Sequence, residues 1–169
     1  MRPGTGVWIA LLAALLATGA LAMKASAFTL STVPVAFPLT ALNGTDVTAT
    51  TSGGTWRADG EGNNQPWHIN VSSTEFTNAE SKTIAVSNFE IRLLDASIVV
   101  VSGPPNPKPV STQTSFIALS GTDLKIASAT PAGGNNVYDL TPDFRLTVPA
   151  ESYSGDYSAT VTITIAAGP

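Results

Sequence analysis

The side chains best able to do chemistry gather between Thr55 and Phe76, in the stretch TWRADGEGNNQPWHINVSSTEF. Asp59, Glu61 and Asn63 alternate in a glycine-rich segment, a spacing at which three oxygen ligands could converge on Ca²⁺. The EF-hand loop pattern fails here, because Asn64 stands in place of its glycine and Asn70 in place of its bidentate glutamate. The segment from Asp59 to Gln65 therefore reads as a solvated hairpin turn, and no metal or cofactor is expected. His68 is the only histidine. General acid–base work needs a positioned partner, and no Ser–His–Asp or Cys–His set can be assigned. Asp139 with Asp143, and Glu151 with Asp156, form acidic pairs near turns. Glycosidase carboxylates act from positions fixed across a cleft, which spacing along a chain does not establish. No catalytic residue is assigned, and the expectation is a protein that is not an enzyme.

Trp56 and Trp67 can stack on sugar rings or fill a core. Trp67 begins a period-two pattern in which Trp67, Ile69 and Val71 share one face and His68, Asn70 and Ser72 the other. That pattern assigns Trp67 to the core, and leaves Trp56, the Asp59–Gln65 turn and the polar face led by His68 as the candidate binding surface. The residues singled out for binding are Trp56, Asp59, Glu61, His68 and Asn70, with Trp67 kept among them as the ring that starts the strand.

The surrounding chain supplies strands and turns. Asp46 to Ser52 is threonine-rich and suits an exposed strand, preceded by the turn signal Asn43-Gly44. Between Thr83 and Leu94 the apolar parity breaks near Ser87-Asn88, which demands a bulge or two separate strands. Ala96 to Val101 is a continuous apolar run, as in a strand covered on both faces. SGPPNPKPVST follows as an extended connecting loop. Phe144, Leu146 and Val148 alternate with polar residues, and Tyr157 to Ile165 alternates with serine and threonines. No helical apolar pattern persists for three turns beyond the N-terminal segment. The fold class expected is all-β, a single antiparallel β-sandwich of about eight to ten strands at ordinary strand length.

Residues 1–27 have the layout of an export signal: Arg2, an uncharged run from Val7 to Met23, and Ala25-Ser26-Ala27 as a cleavage motif. The exported domain then spans residues 28–169. An uncleaved anchor is the rival reading, since the run sits near the lower limit of about 17–25 residues for a spanning helix. Membrane contact is expected only through that segment. Cysteine is absent, which removes disulfides, thiolate chemistry and lipid attachment at the signal, and suggests a bacterial surface protein. Residues 28–169 carry six basic side chains against twelve acidic ones, without a basic cluster, so nucleic acid is not an expected partner. The sequons at Asn43 and Asn70 are read as an unmodified turn and strand.

Three segments resemble the WxL-domain proteins of Gram-positive bacteria. FPLTALNGTDVTAT is similar to that family's opening strand and turn, TWRADGEGNNQPWHINVSSTEFT to its strand, loop and W-x-L-bearing strand, and TPDFRLTVPAESYSGDYSATVTITIAAGP to its closing segment. The first motif stands here as Trp67-His68-Ile69, with an apolar residue kept on the same face. Ile163-Thr164-Ile165 stands where the family carries a second tryptophan. The resemblance implies a secreted protein held non-covalently at the cell wall or cell surface, with peptidoglycan or another wall glycan, or a neighbouring surface protein, as partner. The alternative is a structural subunit of a surface assembly joined through an edge strand.

Overall fold

Period-two runs that bury one side of each strand must be stacked face to face, and in the computed structural model they are. It describes residues 28–38 and 41–168. The segment read as an export signal lies outside the described residues. One layer has two halves. The first runs β1 (Thr29–Ser31), β3 (Trp56–Asp59), β12 (Val137–Leu140) and β8 (Ile98–Ser102) in spatial order. The second runs β10 (Ile117–Ala118), β7 (Phe89–Arg92), β13 (Asp143–Val148) and β2 (Val47–Ser52). Chain-consecutive strands β2 and β3, β7 and β8, and β12 and β13 keep matching positions across the two halves. The layer is therefore one sheet bent at three corners. Main-chain hydrogen bonds from Gly53 N to Pro142 O (2.7 Å) and from Thr141 N to Ser97 O (3.0 Å) stitch the bend.

The facing layer runs β14 (Val161–Ala167), β4 (Trp67–Ser73), β11 (Leu124–Ala129) and β9 (Val110–Ser111). A short ribbon of β5 (Phe76–Thr77) and β6 (Thr83–Ile84) adjoins it. All pairings are antiparallel. The all-β sandwich is thus present, with fourteen described strands where length suggested about eight to ten. Part of the excess is the two-residue strands β5, β6, β9 and β10.

The parity break between Thr83 and Leu94 is resolved as two strands: β6 and β7 flank a 3₁₀ turn at Val86–Asn88, which rotates the chain so that both Ile84 and Phe89 point inward. The run at Ala96–Val101 departs from expectation. It forms edge strand β8, with Val99 56% and Val101 46% exposed, because only β12 pairs with it and only its inner face meets the other layer. An apolar run does not reveal whether a second layer covers the outer face of its strand.

The core sits between the layers. Phe89 stacks on Phe144 at 5.2 Å, Trp56 tilts against Phe144 at 6.1 Å, and Trp67 meets Tyr138 of the opposite layer at 6.1 Å. Ring pairs at such separations add about 0.5–1.5 kcal/mol each beyond the area they bury.

Candidate functional site

Trp56 and Trp67 are both 0% exposed. Neither can stack on a sugar, which corrects their place among the binding candidates. Trp56 starts β3 on its inward parity, two residues after Gly54. Among the described residues neither indole Nε1 has a hydrogen-bond partner. These are core rings chosen for volume, at the cost of two buried donors.

The Asp59–Gln65 segment is not a hairpin, because β3 and β4 never pair. β3 lies between β1 and β12 in one layer and β4 between β14 and β11 in the other, so the segment is an arch joining the layers. Local hydrogen bonds shape it: Asp59 Oδ1 accepts from Glu61 N at 2.9 Å, and Asn63 N donates to Gly60 O at 2.9 Å. It rests on the turn at Pro131–Asn136, where Gly62 N donates to Asn135 Oδ1 (2.6 Å) and Gly60 N to Asn136 O (3.1 Å). The approach is close enough that a Cβ on Gly134 would lie 2.0 Å from Gln65 O, and one on Gly60 would lie 2.0 Å from Gly134 O. The arch is a packed strut rather than an open ligand loop. Among the described residues no three His, Cys, Asp or Glu side chains converge to hold a metal ion.

Beneath the arch lies a polar network that sequence reading missed. Asn136 Nδ2 donates to Tyr138 Oη (2.9 Å) and Pro104 O (3.1 Å), while the Tyr138 hydroxyl donates to Gly133 O (2.7 Å). Burial pushes the Tyr138 phenol up from its ordinary value, partly offset by the Asn136 contact. The proline-rich loop is thereby pinned to its own domain.

The outer faces of the two halves of the bent layer are covered by cross-strand ion pairs. Arg57 grips Asp139 through Nε (2.8 Å) and Nη2 (2.9 Å), and these hydrogen bonds hold the carboxyl below its ordinary range. Arg92 Nε meets Asp143 (2.9 Å) and Arg145 Nη2 meets Glu90 (2.8 Å), each pair directly opposite across β7 and β13. Phe116 caps the last two pairs, its ring centre 4.5 Å from the Arg92 guanidinium and 4.3 Å from that of Arg145. Asp139 and Asp143 are therefore arginine-bound on outer faces and do not flank a cleft.

The outer face of the β14–β4–β11 sheet is different. His68, Asn70 and Ser72 lie on it beside Thr162, Thr164 and Ala166 of β14 and Lys125 and Ser128 of β11. Registry places Asn70 between Thr164 and Lys125. His68 Nδ1 lies 3.0 Å from Gly168 O, while no side-chain hydrogen bond engages Asn70, Ser72, Ser128, Thr162 or Thr164 among the described residues. The six candidates thus separate. Two are core, Asp59 and Glu61 belong to the arch, and His68 with Asn70 share an open polar face.

No family model matches the chain, and neither does any curated protein. Among solved structures, one similar to it is a family 123 glycoside hydrolase from Clostridium perfringens, described in terms of glycolipid glycan hydrolysis. The identity is 17% and the TM-score 0.38, over 73% of this chain and 18% of that one. The match runs counter to the expectation of a chain that is not an enzyme, which is not carried further. At this similarity it assigns neither that protein's substrate nor its reaction here. Among the described residues no helix is long and apolar enough to cross a membrane.

Proposed function

We propose that the chain is an exported bacterial surface module, a divergent WxL-like domain, that attaches non-covalently to wall glycan through the outer face of β14, β4 and β11. The observation that carries this reading is the contrast between faces. On the bent layer, charged side chains are consumed by one another across strands. On the β14–β4–β11 face, a hydroxyl and amide array leaves its donors and acceptors unspent. A broad surface of hydroxyl and amide groups, with Lys125 beside them, suits sugar hydroxyls, whose affinity accumulates from several modest contacts. Export rests on the signal layout of residues 1–27.

The test is sedimentation of the exported chain with purified bacterial cell walls, wild type beside the double variant Asn70→Ala/Thr164→Val. Losing two neutral hydrogen bonds at about 0.5–1.5 kcal/mol each should weaken binding about tenfold or more, with thermal stability unchanged. Equal sedimentation of both proteins, or wild type left in the supernatant, would refute the reading.

A second reading has its own support. Among the described residues β14 pairs only with β4, so its other edge leaves main-chain N–H and C=O groups outside any ladder there. Such an edge suits a subunit that joins a surface assembly by strand addition.

A further inference from the structure

Among the described residues every basic side chain but one is engaged within the molecule. Each arginine faces a carboxylate directly across a strand pair: Arg57 meets Asp139, Arg92 meets Asp143 and Arg145 meets Glu90. Unlike charges set opposite one another are the favourable cross-strand arrangement. The Lys108 ammonium donates to Asp95 O (2.9 Å) and Ile98 O (3.3 Å), and that of Lys82 lies 4.3 Å from the centre of the Tyr153 ring. Lys125 is the exception. Its main-chain carbonyl accepts from Thr112 and Gln113, while no hydrogen bond, ion pair or ring engages its exposed ammonium among the described residues.

The exception falls on the open polar face. Opposite Lys125 on β4 stands Asn70 rather than a carboxylate, and opposite Asn70 on β14 stands Thr164. Ammonium, amide and hydroxyl thus form a row across three strands, with about 4.5–5.5 Å between successive Cβ atoms. The twelve acidic side chains of residues 28–169 all lie outside β4, β9, β11 and β14. Asp123, two residues before Lys125, makes no ion pair with it. The carboxylates of the bent layer that pair with arginine stand on its own outer faces, beyond the separation of about 10 Å between stacked sheets, where salt at physiological strength screens a charge within about 8 Å. A chain whose described part is net negative therefore turns one uncompensated positive charge outward, in the middle of its hydrogen-bonding face.

Resting on the reading of this face as a glycan surface, we infer that its ligand is an acidic glycan, one whose sugar units carry a carboxylate or a phosphate. Lys125 takes the anionic group, and Asn70 and Thr164 bond to hydroxyls of the same sugar or the next. A neutral glycan leaves the ammonium without a counter-charge. A lysine acts as a compact point charge with three donors and suits either anion, while the negative charge elsewhere on the chain turns a polyanion toward this face.

Affinity electrophoresis provides the test, in gels holding polygalacturonate, phosphomannan or neutral dextran, with retardation referred to a gel without polymer. Wild type should be retarded by at least one acidic polymer more than by dextran, and the polymer that retards it tells carboxylate from phosphate. Lys125→Gln should bind that polymer about two- to fivefold more weakly, as an exposed charge pair allows, and Lys125→Glu more weakly still. Lys125→Arg should stay near wild type, as should Lys82→Glu, which changes net charge away from the face. Retardation of wild type by neither acidic polymer, equal retardation by dextran, undiminished binding by Lys125→Glu, or an equal loss in Lys82→Glu would overturn the inference. Wall sedimentation decides the glycan face separately. If Asn70→Ala/Thr164→Val leaves the walls while Lys125→Glu stays on them as wild type does, the glycan face stands and its acidic ligand falls.

Discussion

Replacing Trp67 separates a tryptophan that builds the fold from one that touches a ligand. Its ring is wholly buried between Tyr138 at 6.1 Å and Phe28 at 6.4 Å, and its Nε1 donor has no acceptor. Trp67→Ala removes the packing and leaves a cavity, a change that costs about 3–5 kcal/mol. For a chain of this size that corresponds to a fall in Tm of roughly 10 °C. Trp67→Phe keeps an aromatic ring against Tyr138 and deletes the orphan donor, whose unpaired burial costs about 1–3 kcal/mol. The lost ring volume and the relieved donor oppose each other, so the net cost should be about 1–2 kcal/mol. Calorimetry supplies the stability, and wall sedimentation of the same proteins supplies binding. Trp67→Phe should bind walls as wild type does. A Trp67→Phe protein of near-native stability that no longer sediments would show that the indole meets the ligand, and would refute the core assignment.

Two further outcomes follow from the strut and the ion pairs. Gly134→Ala should destabilise by about 1–3 kcal/mol or more, since its Cβ meets the Gln65 carbonyl oxygen, whereas Gly121→Ala, with open space around it, should change the urea midpoint little. The Asp139 carboxyl is held below its ordinary value of 3.8 by Arg57, so its contribution to stability is present above that value and is lost as pH falls through the lowered one. Arg57→Gln should therefore make the unfolding midpoint less steeply dependent on pH below about 4, and an unchanged acid limb would count against the pairing.

Period-two alternation made much of the fold legible, since it reports which face of a strand is buried. Trp67, Ile69 and Val71 fall inward on β4 as their spacing requires, and the break at Ser87-Asn88 marks a real change of strand. Alternation carries no information about neighbours. It could not show that β8 has one partner, leaving Val99 and Val101 exposed, or that β3 and β4 belong to different layers, which turns the expected hairpin into an arch. Trp56 escaped because a single tryptophan after two glycines sets no parity by itself. The Arg–carboxylate pairs escaped for a related reason, since their partners lie fifty-one to eighty-two residues apart and meet only through strand register. The Asn136–Tyr138 network escaped because it is completed by Pro104 O, thirty-two residues away.

The order in which sheet β14–β4–β11 is assembled bears on when the molecule can fold. β4, which carries three of the most deeply buried side chains, has β11 on one flank and β14 on the other, and β14 begins only at Val161. β2 likewise waits for β13, almost a hundred residues further along. A topology so rich in distant pairings folds slowly, and its central strand stays unpaired on one side until the last strand has been made. During synthesis β4 thus lacks one of its two partners until residues 161–167 have been made.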